Sequence, residues 1–354
     1  MVTKDSVKVD TITGSRTYNR LDMQVSQTLH MAIELFDNLN YLFILDHYDD
    51  ITLFDLDKEP LVVSYYQLKT SNNERITIDS AISENWLAKL YSQLNRSENW
   101  LIKELGLITN TPLEIRIKKD KQKQTLSADK TSFAKINKYT QNRIRKDIAV
   151  KFGISEDKVD LSKFFHLRTT LSIERHKDIV ESEIETFLYD KYPRITVDTV
   201  KGIYSSLVEI LTKRQAYELL PNDAGLLDAK KHKGFTKTEF INIIDKAIIL
   251  SLPTFEDVVK LSGVEESTIS LPYVQILTDS NKRDDESFHT LFNKVLKTMN
   301  SNPFSNEDLK TVWEYGLEIG NIISENNSLL TVPYNSNYIA VLVICLLINK
   351  SRRL

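Results

Sequence analysis

A single cysteine, Cys345, in a chain of 354 residues rules out an intramolecular disulfide and any cysteine-based metal cluster. It lies inside an apolar run, where a buried, inert thiol is expected. Glycine and proline are sparse, at nine and eight residues, which argues against collagenous segments, long flexible linkers and a loop-rich all-β fold. No glycine-rich loop followed by Lys-Ser or Lys-Thr is present, so ATP hydrolysis is not expected of this chain, and no Gly-x-Ser-x-Gly elbow points to a serine hydrolase. The six histidines are scattered, without the spacing of a zinc site. Hydrophobic runs are short as well. The longest, Tyr338 to Ile348, falls below the roughly 20 residues that span a bilayer. It reads as a buried C-terminal helix tipped by Lys350, Arg352 and Arg353, which suit a helix C-terminus, with a membrane anchor as the minor alternative. Met1 to Thr13 alternates polar and apolar residues, so neither a signal peptide nor a membrane partner is expected, and the protein is expected to be cytoplasmic.

What is present describes a globular protein with 41% hydrophobic and 27% charged residues, long enough for two or three domains. The net charge of -3 conceals an asymmetry: from Arg116 to Lys151 there are 12 Lys or Arg against three acidic residues. Such a basic stretch on an otherwise acidic chain suits a surface that faces a polyanion, and a solvated basic loop has the same composition.

One pair of segments carries chemistry. Asp49-Asp50-Ile51-Thr52-Leu53-Phe54 reads as an acidic turn leading a strand, and Val62 to Thr70 as a second strand ending in Gln67-Leu68-Lys69-Thr70. Strand side chains alternate, so Gln67 and Lys69 share a face and Leu68 takes the other. If the strands are neighbours, Asp50, Gln67 and Lys69 meet. A carboxylate and an amide oxygen are hard ligands suited to Mg²⁺, and an ammonium beside them can steady a hydroxide or a phosphate oxygen. A hairpin with polar ends also occurs in many sheets that do no chemistry.

The surrounding pattern is helix (Leu21 to Asn38), strands at 41–45, 51–56 and 62–69, helix (Ile82 to Leu94), then strands at 105–109 and 113–117. Such an order suits a nuclease core with the reactive strands in the middle. Beyond about residue 120 strand signals become sparse. Helices are expected at 132–151, 173–191, 196–219, 236–250, 255–262, 285–299, 306–325 and 336–349, with Tyr217 to Lys233 as a loop between subdomains. For DNA contact the best candidates are Lys118, Lys119, Lys121 and Lys123, then Arg143, Arg145 and Lys146, acting on phosphates.

Leu45-Asp46-His47-Tyr48-Asp49-Asp50-Ile51 and Tyr66-Gln67-Leu68-Lys69-Thr70 resemble effector endonucleases of bacterial anti-phage systems, supported by Ala88-Lys89-Leu90-Tyr91, Leu105 to Pro112, Ile203 to Leu207 and Lys233-Gly234-Phe235. These are the PD-(D/E)xK-type, Cap4-like double-stranded DNA endonuclease domains found in CBASS, Lamassu and HerA-type operons. The resemblance, which covers roughly residues 15–250, implies an α/β restriction-endonuclease-like core with a mixed sheet flanked by helices over 1–125 and its helical extension over 126–220; a mainly α-helical assembly region is expected over 221–354. It implies Mg²⁺ or Mn²⁺ as cofactor, with Asp50 and Gln67 as metal ligands and Lys69 as the catalytic lysine. Asp49 and Asp46 are rivals or helpers in the turn, and Glu34 an added ligand or a solvent-facing helix residue. The expected substrate is double-stranded DNA, and the expected setting a homo-oligomer held silent until an SMC-like or HerA-type ATPase subunit activates it. The alternative is a catalytically degenerate nuclease fold that binds DNA or scaffolds a defence complex.

Overall fold

In the computed structural model, the described residues are 13–96, 99–118, 122–193, 195–219, 225–250, 252–280, 286–305, 310–326 and 334–351. They form a mixed α/β fold with a mainly helical C-terminal part. Two compact units are distinguished, one of residues 1–187 and 203–243, the other of 188–202 and 244–354.

The first unit is built on a seven-stranded sheet. Its strands are β1 (Tyr41–Leu45), β2 (Ile51–Asp55), β3 (Val62–Lys69), β5 (Leu101–Thr109), β8 (Lys130–Ser132), β9 (Phe164–Arg168) and β10 (Gly234–Thr236), in the order β10-β1-β2-β3-β5-β9-β8. Strands β1, β2 and β3 form an antiparallel meander of β-branched and aromatic residues. The next two steps, β3 to β5 and β5 to β9, are parallel and therefore need crossovers. A second sheet holds β4 (Ile76–Thr77), β6 (Leu113–Arg116) and β7 (Lys123–Leu126) in the order β4-β6-β7.

Helix α1 (Thr13–Glu34) precedes the meander, and α2 (Ile78–Ser83) and α3 (Trp86–Ser92) make the β3-to-β5 crossover. Thr77 caps α2 by accepting from Ser80 N, and Asn85 between the two helices has a positive φ of 63°. The left-handed residue breaks the continuous helix expected from Ile82 to Leu94, because an α-helix cannot continue through that conformation. Helix α4 (Lys138–Phe152) closes over the same face and ends at Gly153, with φ 63°. Phe54, Val63, Tyr65, Leu90, Leu105, Leu107, Ile144 and Phe164 belong to the apolar core that results.

Three further sequence expectations are corrected. The sheet takes β9 and β10 from far beyond residue 120, where strand signals had faded. Tyr217 to Lys233 is not a plain loop, since Leu226–Lys233 is a helix, α7. The first helix ends at Glu34 rather than Asn38, where the backbone tightens into a turn with Phe36 N donating to Ile33 O.

The remaining helices are α5 (His176–Lys191), α6 (Val197–Ala216), α8 (Lys237–Leu250), α9 (Phe255–Ser262), α10 (Glu266–Ser280), α11 (Glu286–Ser301), α12 (Val312–Asn326) and α13 (Ser336–Ser351). Helix α10 had no counterpart in the sequence reading, because Pro272 sits inside it and proline argues against helix interiors. In the second unit, α12 lies so close to α13 that a Cβ on Gly316 would come 2.9 Å from Ala340 Cα. Cys345 is buried in this unit's core, as its apolar context suggested. Among the described residues, no helix is long and apolar enough to cross a membrane.

Candidate active site

The turn from β1 to β2 begins at Asp46, whose φ of 46° is tolerated by an aspartate, and Asp46 N donates to Asp50 O at 3.1 Å. The pairing of Leu45 with Ile51 and of Ile51 with Tyr66 carries this turn to the C-terminal end of β3. Asp50 is fixed there by Leu68 N, which donates to Asp50 Oδ2 at 2.8 Å. Lys69 Nζ stands 3.9 Å from the same oxygen and 5.6 Å from the centroid of the Trp86 ring on α3. Gln67 is wholly buried on the same strand face, and neither its Oε1 nor its Nε2 has a hydrogen-bond partner. The structure thus places Asp50 and Lys69 within 3.9 Å of one another and Gln67 on the same face of β3 as Lys69.

Asp49 is placed differently. Its side chain is fully enclosed, Lys89 Nζ lies 3.1 Å from Oδ1, and Asp50 N donates to that oxygen at 3.0 Å. Gln93 Nε2 reaches Oδ2 at 3.2 Å and also donates to Tyr48 O at 2.8 Å. Burial pushes the Asp49 carboxyl above its ordinary pKa, against the pull of Lys89. For Lys89 burial works against the charged form, but Asp49, Asp50 and Asp46 outweigh it and raise its pKa. Gln93 Oε1 in turn accepts from Arg96 Nε at 2.5 Å, and Arg96 lies over the Tyr48 ring at 4.5 Å. Lys89, Gln93 and Arg96 therefore tie α3 and the turn after it to the acidic turn. The sequence reading gave Lys89 no role. The visible signal was the i,i+4 spacing of Lys89 and Gln93, which puts both on one helix face.

The two other acidic candidates differ: Asp46 belongs to the same turn and is close enough to act on Lys89, whereas Glu34 lies elsewhere. Asp46 is exposed. Glu34 lies on α1, where it pairs with His30 Nε2 at 3.5 Å. It lines a cavity of about 510 Å³ with Ser64 and Tyr66, the residues of β3 that face away from Gln67 and Lys69. Glu34 is therefore not brought to the metal-ligand candidates.

The basic candidates divide. Lys118 and Lys146 are exposed, whereas Lys119 and Lys121 lie outside the described residues. Lys123 Nζ is 2.6 Å from Glu114 Oε1, and Arg143 Nη2 is 2.6 Å from Asp79 Oδ1, where Arg116 joins it. Arg145 Nε donates to Val159 O at 3.3 Å. The small sheet that carries Lys123 follows directly on the ends of β3 and β5, because Ser71 and Asn110 bond across that junction at 2.9 and 3.0 Å.

Among the described residues, no group of three or more His, Cys, Asp or Glu is placed to hold a metal ion. A set of one carboxylate and one amide oxygen still fits Mg²⁺, which commonly keeps several waters and takes one or two protein carboxylates beside substrate phosphate oxygens. The unpartnered amide of Gln67 points the same way, since a buried amide without a partner is costly unless a ligand satisfies it.

No protein-family model matches the chain. Two solved structures of Cap4 SAVED/CARF-domain containing receptors align with it at a TM-score of 0.38. The one from Acinetobacter baumannii, bound to the cyclic trinucleotide 2'3'3'-cAAA, is 13% identical and is matched over 64% of this chain and 44% of its own. The one from Moraxella osloensis is 14% identical, over 65% of this chain and 47% of its own. The chain thus spans less than half the length of either. In sequence, the chain is similar to Lamassu protein LmuA of Bacillus cereus (strain VD014), with 29% identity over 250 residues that cover 70% of this chain and 68% of LmuA.

Proposed function

We propose that this chain is a metal-dependent double-stranded DNA endonuclease of the PD-(D/E)xK type, serving as the effector of a multi-protein anti-phage defence system. The observation that carries the reading is the buried, unpartnered amide of Gln67 beside Asp50 and Lys69 at the end of one sheet. The similarity to Lamassu protein LmuA supports the defence setting.

Asp50 and Gln67 would hold Mg²⁺ or Mn²⁺. When bound, the ion supplies Lewis acidity to a phosphodiester oxygen and lowers the pKa of water. Lys69 orients the attacking water and balances negative charge as it builds on the phosphate. Water adds to phosphorus and one P–O ester bond breaks, leaving a phosphomonoester and an alcohol. Trp86 limits the excursions of the Lys69 ammonium by holding it over an aromatic face.

Lys118, Lys119, Lys121, Lys123, Arg143, Arg145 and Lys146 bind backbone phosphates, which gives affinity without sequence choice. In this reading Lys123 and Arg143 exchange Glu114 and Asp79 for phosphate oxygens as DNA arrives. The helical C-terminal unit serves assembly, as a homo-oligomer and with an SMC-like or HerA-type ATPase that restrains and releases the activity.

The test is plasmid cleavage by the full chain in Mg²⁺ or Mn²⁺, with and without the products of its neighbouring genes, for the parent and for Lys69→Ala. Metal-dependent products that vanish in the variant support the reading. Steeply salt-dependent DNA binding without products under any of these conditions would instead make the chain a nucleic-acid-binding scaffold.

A further inference from the structure

Asp49 and Asp50 are adjacent in sequence and opposite in circumstance. Asp50 Oδ2 is held by Leu68 N and faces Lys69, and the Asp50 side chain remains partly exposed. Both oxygens of Asp49 are taken, by Lys89 and Asp50 N at one and Gln93 at the other, and its side chain shows no exposure. A carboxylate with no exposed surface and contacts at both oxygens is closed to an incoming ion. It has a different output, because one of its bonds is to the backbone N–H of Asp50.

We propose that Lys89 is a positioning residue of the candidate hydrolytic site, acting through Asp49 to set the place of Asp50. The chain of contacts is continuous: Lys89 Nζ to Asp49 Oδ1, Asp49 Oδ1 to Asp50 N, and Asp50 Oδ2 to Leu68 N, at 3.1, 3.0 and 2.8 Å. Asp50 is thereby held from both sides, its backbone by the turn and its carboxylate by β3. An enclosed carboxylate is strongly unfavourable without a compensating charge, and Lys89 is the cation that approaches Asp49. The Lys89 side chain is itself 54% exposed, so its ammonium is reached from solvent while its partner is not. Gln93, one helical turn on, keeps α3 against the same turn through Tyr48 O and Asp49 Oδ2. The geometry makes the docking of α3 a condition for the placement of Asp50, although no atom of α3 is asked to touch the reacting phosphate.

This inference rests on the hydrolytic reading, and its test separates the two. Lys89→Met and Lys89→Arg are compared with the parent as full chains, together with whatever gene neighbours activate cleavage. Three quantities are read: hydrogen exchange of the 46–50 turn, kcat and KM for plasmid cleavage, and Mn²⁺ binding with the free ion counted by electron paramagnetic resonance. The expected result for Lys89→Met is faster exchange in the turn and a kcat lower by about tenfold with KM for DNA little changed, as follows when a reacting group is displaced. Lys89→Arg restores both, because it returns the charge. Unchanged exchange and kcat in Lys89→Met overturn the proposal and leave the hydrolytic reading standing. So does a raised KM with kcat intact, which would make Lys89 a phosphate contact. A parent that neither binds Mn²⁺ nor cuts DNA sinks the hydrolytic reading, and the exchange of the turn still decides whether Lys89 places Asp50.

Discussion

Lys69 Nζ lies 3.9 Å from Asp50 Oδ2, an ammonium at the end of β3 and a carboxylate in the turn that leads into β2. At this separation the pair is a loose contact between partly exposed groups, which contributes at most about 1 kcal/mol to stability. Substituting Lys69 is therefore expected to leave the fold intact while removing its charge from the candidate site. Lys69→Ala should lower cleavage by at least on the order of a hundredfold. Its thermal unfolding should stay close to the parent's, and circular dichroism checks that half of the expectation.

The two neighbouring aspartates should respond differently. Asp50→Asn is expected to abolish Mn²⁺ binding and cleavage together. Asp49→Asn keeps an oxygen for Lys89 and Asp50 N and is expected to retain most Mn²⁺ affinity. Titration of the two variants with Mn²⁺ checks this, and loss of binding in Asp49→Asn with retention in Asp50→Asn would reverse the assignment.

The reach of the sequence can be judged at this site. Period-2 alternation is a local property of a strand, so the shared face of Gln67 and Lys69 was readable from Val62 to Thr70 alone. Which of Asp46, Asp49 and Asp50 is open to an ion was not, because the enclosure of Asp49 depends on a turn whose first residue is left-handed and on a helix some 40 residues later. Strand β9 escaped notice for a similar reason: Phe-Phe-His-Leu-Arg carries a histidine and an arginine, and its place in the sheet comes from parallel pairing with β5. Strand β10 is only Gly234-Phe235-Thr236 and follows a helix directly, so no hydrophobic period could develop. The corrected helix from Ile82 to Leu94 shows the converse, a pattern long enough to read and broken by one residue, Asn85.

His166 provides a stability test that owes nothing to the activity. Thr109 Oγ1 donates to Thr111 O at 2.6 Å, so it accepts from His166 Nε2 at 2.8 Å, which leaves Nδ1 bare, buried and without a partner. Burial, with a smaller push from Arg168, lowers the His166 pKa from 6.5 to about 4. Since the unfolded chain takes up this proton first, the native state is expected to lose stability as pH falls from about 6.5 to about 4, by up to about 3 kcal/mol from this group. Denaturant unfolding across that range checks it, and His166→Phe should flatten that part of the profile.

Gly106 offers a packing test. A Cβ there would come 2.4 Å from Tyr66 Cδ1 and 2.8 Å from Leu167 Cδ1, because the Tyr66 ring lies across β5. Tyr66 is 6% exposed and has little room to retreat. Gly106→Ala is expected to destabilise the first unit by about 1–3 kcal/mol, measured by urea denaturation, as overpacking of a tight core does.

Strand β10 also sets an order of events during synthesis. It pairs with β1 through Gly234, Phe235 and Thr236, almost two hundred residues after the strand it covers. While a ribosome is still making the intervening chain, β1 can pair with β2 but keeps its other edge open, a row of unsatisfied backbone donors and acceptors. The hairpin that carries Asp50 thus completes its sheet only after residue 236 has been made, and a nascent chain stalled before residue 234 would expose a template for strand pairing.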